Sequence, residues 1–107
     1  MKKNSLEQLA VKFNRSKSRI EFSLIEEFLI LDFRSVQDSD MIYLCDIIIR
    51  MNADLIFHIS EQNSNSGVYR DMIFNIVSRI SQSEIMLNDV TLKKYFTKFC
   101  SYADQLS

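Results

Sequence analysis

An all-α fold is predicted by three features of the sequence: it contains no proline, it holds one glycine, Gly67, and its apolar residues return at three- and four-residue steps along most of the chain. β-Sandwiches and barrels need repeated tight turns, and the residues that make them are missing. A single glycine also excludes a glycine-rich phosphate loop. With 107 residues, 47% hydrophobic and 25% charged, the chain has ordinary globular composition and length for one domain over 1–107. The expectation is a compact bundle of about five helices: a hairpin over 5–34, then a helical region over 38–106.

Each element has its own signal. Ser5 followed by Gln8 reads as a capping box, and Leu6, Leu9, Ala10 and Phe13 share one face, which predicts a first helix over about 5–13. Asn14-Arg15-Ser16 then reads as a tight turn, with Asn14 tolerant of left-handed backbone and Ser16 capping the second helix. That helix is expected over 17–34, with stripes Ile20, Leu24, Phe28, Leu31 and Phe22, Ile25, Leu29, Phe33. The third starts near Asp38 and runs to Glu61 through Met41, Leu44, Cys45, Ile48, Leu55, Ile56 and Ile59, with i,i+4 charge pairs at Asp46–Arg50 and Arg50–Asp54. Residues 62–67 read as a loop. The fourth helix, over about 68–81, places Tyr69, Met72, Ile73, Ile76, Val77 and Ile80 on one face. After a break at 82–88, Asn88 or Asp89 caps a fifth helix with the stripe Leu92, Tyr95, Phe96, Phe99, Tyr102 and Ala103. The runs Leu29-Ile30-Leu31 and Ile47-Ile48-Ile49 have strand propensity, but their flanks keep the helical period and hairpin turns are lacking.

Helices two and three are apolar on more than one face, with Ile47 and Ile49 off the main stripe of the third. A symmetric homodimer would cover that surplus; a central hairpin within a monomer is the alternative. Cys45 and Cys100 lie far apart inside apolar patterns and are expected as buried thiols in a reducing compartment. The Met-Lys-Lys start leads into a polar stretch and does not read as a signal peptide, and no apolar run is long enough for a membrane span, so a cytoplasmic location is expected.

Charge is unevenly distributed. Lys2, Lys3, Lys12, Arg15, Lys17 and Arg19 face Glu7 alone within the first twenty residues, while the rest of the chain is net acidic. Residues 6–24 coincide with this basic stretch and resemble a helix-turn-helix unit. Leu9 and Phe13 are its packing residues, Ala10 its close-crossing small residue, Asn14 its turn, Ser16 the opening of the second helix and Ile20 its lock. That resemblance implies double-stranded DNA as a partner. Lys17, Arg19 and Glu21 would meet base edges, and Lys2, Lys3, Lys12, Arg15 and Ser16 would meet phosphates, with steep salt dependence.

Residues 70–104, notably Ser83-Glu84-Ile85-Met86, Asp89-Val90, Lys93 and Ala103-Asp104, resemble the end of the YmgB/AriR family. Those proteins are small, all-helical, dimeric regulators associated with biofilm formation and acid resistance in enteric bacteria, with DNA binding proposed for them. The likeness implies a regulatory role and covers about a third of this chain.

Catalytic chemistry is sparse. His58, the only histidine, lies one helical turn after Asp54, and the two share a helical face where a hydrogen bond would orient a general base, but no nucleophile or metal partner accompanies them. Glu26 and Glu27 are adjacent and project differently, and the aromatic stripe of the fifth helix reads as core. A non-enzymatic role without cofactor or metal is therefore expected. Two readings remain: a dimeric DNA-binding regulator, or a helical module that binds a protein (a chaperone, anti-adapter, immunity protein or inhibitor) and never touches nucleic acid.

Overall fold

The apolar stripes converge on one core in a computed structural model that describes residues 5–16, 19–61, 66–85 and 89–106. Five helices supply it: α1 (Ser5–Arg15), α2 (Phe22–Leu29), α3 (Met41–Glu61), α4 (Ser66–Ser83) and α5 (Val90–Asp104), with no strand among the described residues. Around the bundle the packing order is α1, α3, α5, α4, α2, and α2 packs back on α1. The stripes of α1 and α4 behave as their period demands. Leu6, Leu9, Ala10 and Phe13 are buried, as are Tyr69, Ile73, Ile76 and Ile80. In α5, Leu92, Phe96, Phe99 and Ala103 are buried, so this aromatic stripe is core.

α3 is the middle member of a row. Arg50 Nη2 donates to Ser16 O at 3.2 Å, which places the end of α1 against one edge of α3. Asn52 Nδ2 donates to Tyr95 O at 3.2 Å and ties α5 to the opposite edge. α2 and α4 run alongside each other on the other side of the core: Phe22 stacks on Tyr69 near their starts, and Arg79 Nη2 donates to Leu31 O at 2.8 Å near their ends.

The first hairpin departs from the sequence expectation. α1 continues through Asn14 to Arg15, so Asn14 is helical and no tight turn forms there. Ser16 caps nothing on α2; its Oγ donates back to Lys12 O at 3.4 Å. α2 begins only at Phe22, after an extended Glu21, and stops at Leu29, so the helix expected over 17–34 is one of eight residues. Local side-chain chemistry explains the stop. Asp32 accepts from Arg34 N at 3.1 Å, and Ser35 Oγ donates to Asp32 O at 2.8 Å, which turns Phe33–Ser35 into a 3₁₀ turn in place of further α-helix. A second 3₁₀ turn, Asp38–Asp40, closed by a Gln37/Asp40 capping box, leads straight into α3.

The other boundaries are closer to expectation. Ser66 and Gly67, expected in a loop, lie in the first turn of α4; loop positions 62–65 fall outside the described residues, as does the side chain of Ser5 and with it the expected capping box. α4 ends on Glu84, which takes a left-handed φ of 61°. Asp89 caps α5 by accepting from Leu92 N at 2.8 Å.

Candidate functional site

Three places on this scaffold concentrate polar or exposed apolar chemistry. The first is the basic segment. Lys12, Arg15, Ser16 and Arg19 line an open groove of about 550 Å³ between α1 and α2, together with Glu21 and Glu27. Most of these cations are already engaged. Lys12 Nζ lies 2.9 Å from Glu27 Oε1. Arg19 is ion-paired with Glu61, and its guanidinium sits 5.1 Å above the Phe57 ring. Arg15 is exposed and makes no ion pair among the described residues. Lys2, Lys3 and Lys17 lie outside the described residues. Arg19 precedes α2 instead of occupying its first turn, and the exposed positions at and along α2 include Glu21, Glu26 and Glu27. The structure therefore groups Lys12, Arg15, Ser16 and Arg19 around one groove but places an acidic helix beside them.

The second place is buried. Asp54 on α3 receives the backbone N–H of Ile20 at Oδ1 (3.1 Å) and the Tyr69 hydroxyl at Oδ2 (2.9 Å). One carboxyl group thus joins the α1–α2 connection, α3 and α4. His58 stacks on Tyr69 with ring centroids 3.7 Å apart, yet its Nε2 lies 3.5 Å from Asp54 Oδ2, too far for the hydrogen bond expected from the i,i+4 spacing. Both ring nitrogens are buried without a hydrogen-bond partner among the described residues. Burial holds the His58 pKa below its ordinary value; Asp54 opposes that shift and Arg19 adds to it. The Tyr69 phenol is pushed far up, first by burial and then by Asp54. Among the described residues no group of three His, Cys, Asp or Glu is placed to hold a metal. Cys45 and Cys100 are unbridged, and burial raises both thiols, Cys45 to about 11. Such a site is suited to fastening elements together, since both Asp54 oxygens are taken by donors from other elements and are hidden from solvent.

Stability should therefore depend on pH through His58. The unfolded chain takes up a proton on histidine near pH 6.5, and the folded one resists it, so the stability tied to neutral His58 is full above that pH and is lost below it. Urea unfolding at stepped pH is expected to show stability falling from about pH 7 towards 5.5, by at most about 1.4 kcal/mol per pH unit. His58→Phe, which keeps the ring stack on Tyr69, should flatten the slope. An equally steep slope in that variant would assign the effect to other groups.

The third place is the outer face of α3, away from α1 and α5. Ile42, Ile49 and Ile56 recur every seven residues and are 64%, 41% and 50% exposed, with Phe57 50% exposed beside them. Ala53 is exposed within the same stripe, and Val11 of neighbouring α1 is exposed as well. The sequence pattern puts Ile56 with the core stripe and Ile47 off it; the structure reverses both, with Ile47 fully buried. The seven-residue recurrence of Ile42, Ile49 and Ile56 was the available signal for this face.

The chain matches no protein-family model, no curated protein and no solved structure.

Proposed function

We propose that this protein is a non-enzymatic helical module that docks another protein chain on the outer face of α3. One observation carries the reading: three isoleucines in successive heptads stay exposed on a helix whose other sides are covered. Single exposed apolar residues are ordinary on protein surfaces, but an aligned row rimmed by polar groups is a contact seam. Fully burying an isoleucine contributes about 1.5–3 kcal/mol, so covering these half-exposed ones favours association by about 1 kcal/mol each. Helix-in-groove and coiled-coil recognition both read such rows.

DNA binding through the α1–α2 groove is the second reading, supported by exposed Arg15 beside Lys12 and Arg19. It requires the pairs with Glu27 and Glu61 to open, which makes it the weaker of the two.

A photo-crosslinking amino acid introduced in the native cell separates them. At position 49 it is expected to give a discrete adduct with protein, while at position 15 and at exposed Asn75 of α4 it gives none. An adduct with nucleic acid at position 15 would favour DNA; silence at position 49 rejects the docking face.

A further inference from the structure

We infer that the occupant of the α3 face is a second copy of this chain, with the two α3 helices antiparallel about a two-fold axis that crosses the seam midway between Ile49 and Ala53. This rests on the reading of α3 as a docking face and names its partner. Along the seam, Ile42, Asp46, Ile49, Ala53, Ile56 and Ser60 alternate four and three residues apart, so large side chains alternate with small or polar ones. A two-fold axis at the middle of the seam sets Ile49 of each copy against Ala53 of the other, a large residue into the space left by a small one. Two-fold pairing of one patch with itself requires this kind of self-complementarity.

Charge fixes the direction. Asp46, Arg50, Phe57 and Glu61 lie on one edge of α3, the edge that Arg50 joins to the end of α1. Asp46 is half-buried in the first half of the helix. Arg19, stacked over Phe57 and held by Glu61, puts a guanidinium on the same edge at the far end. Antiparallel docking about this axis keeps those edges together, so Asp46 of each copy approaches Arg19 of the other. Parallel docking sets Asp46 level with Asp46, carboxylate to carboxylate.

Sedimentation equilibrium of the purified full chain, from micromolar to millimolar, tests the inference. The expected result is a mass rising from 12.6 kDa to twice that value. Ile49→Glu, at an exposed position, should stay monomeric throughout, while its thermal melt at low micromolar concentration, where the parent is monomeric, remains that of the parent. Asp46→Asn discriminates direction by sign. Loss of the two symmetry-related ion pairs weakens an antiparallel dimer about two- to thirtyfold, whereas relief of like-charge repulsion tightens a parallel one. A parent chain monomeric at millimolar concentration overturns self-association, as does an Ile49→Glu dimer of unchanged strength; a tighter Asp46→Asn dimer overturns the antiparallel arrangement. If the parent is monomeric while the crosslinker at position 49 still captures a different protein, self-association fails and the docking face stands. If neither mass nor adduct appears, both fail.

Discussion

Asp54→Ala is expected to destabilise the fold by about 2–5 kcal/mol, measured as a lowered urea midpoint at unchanged m-value. The magnitude comes from what the substitution strands. Ile20 N–H and the Tyr69 hydroxyl both donate to this one carboxyl group, and Ile20, Tyr69 and Asp54 are all buried. Each donor left without an acceptor away from water costs about 1–3 kcal/mol. Asp54→Asn keeps one acceptor oxygen of similar shape and should fall between the parent and Asp54→Ala. Tyr69→Phe removes one of the two donors, so combining it with Asp54→Ala should cost less than the separate losses summed, by about 1–2 kcal/mol. Full additivity would show that the Tyr69–Asp54 bond contributes nothing in solution. A value for Asp54→Ala within about 0.5 kcal/mol of the parent, the range of ordinary surface changes, would remove Asp54 as the fastening point.

This fastening point explains why some of the fold is legible in the sequence and some is not. Periodicity reports which side of a regular helix is apolar, so the faces of α1, α4 and α5 are legible from Leu6 to Phe13, Tyr69 to Ile80 and Leu92 to Ala103. It does not report where a helix begins. Ile20 falls in step with Leu24 and Phe28 and is buried like them, but it reaches the core from non-helical backbone whose N–H is taken by Asp54, thirty-four residues away. A hydrogen bond between main chain and a distant side chain leaves no local pattern. Arg19 departs from its expected place for the same reason: with α2 starting at Phe22, it turns towards Phe57 and Glu61 on α3 instead of lying on a recognition helix. The end of α2 is more accessible, because Asp32 and Ser35 are residues that compete with helix for backbone partners. On α3, two apolar rows overlap. Ile47 and Ile48 serve the core while Ile49 and Ile56 face outward, and a helix contacted along two edges offers no single apolar direction by which to choose between them.

Phe28→Ala should cost about 3–5 kcal/mol, the usual range for deleting a buried aromatic ring. Phe28 is fully buried in α2 and meets two rings edge-on: Phe13 of α1 at 5.9 Å and 71°, and Phe33 of the 3₁₀ turn at 5.3 Å and 86°. Its removal opens a cavity and also cancels two edge-to-face contacts of about 0.5–1.5 kcal/mol each, so Phe28→Leu, which refills much of the volume, should still lose about 1–3 kcal/mol. The position matters because α2 is only eight residues long, too short to persist without tertiary packing. Hydrogen exchange should therefore accelerate first in α2 and the turn at Phe33–Ser35, while α3 and α5 keep their protection. The contrast with Ile49→Glu is the sharper test of the division of labour. Phe28→Ala is expected to lower stability and leave association intact wherever the chain stays folded, and Ile49→Glu to do the reverse. A Phe28→Ala variant that dissociates at denaturant concentrations where it remains folded would mean that α2 supports the α3 face, and that the core and the docking surface are not separable.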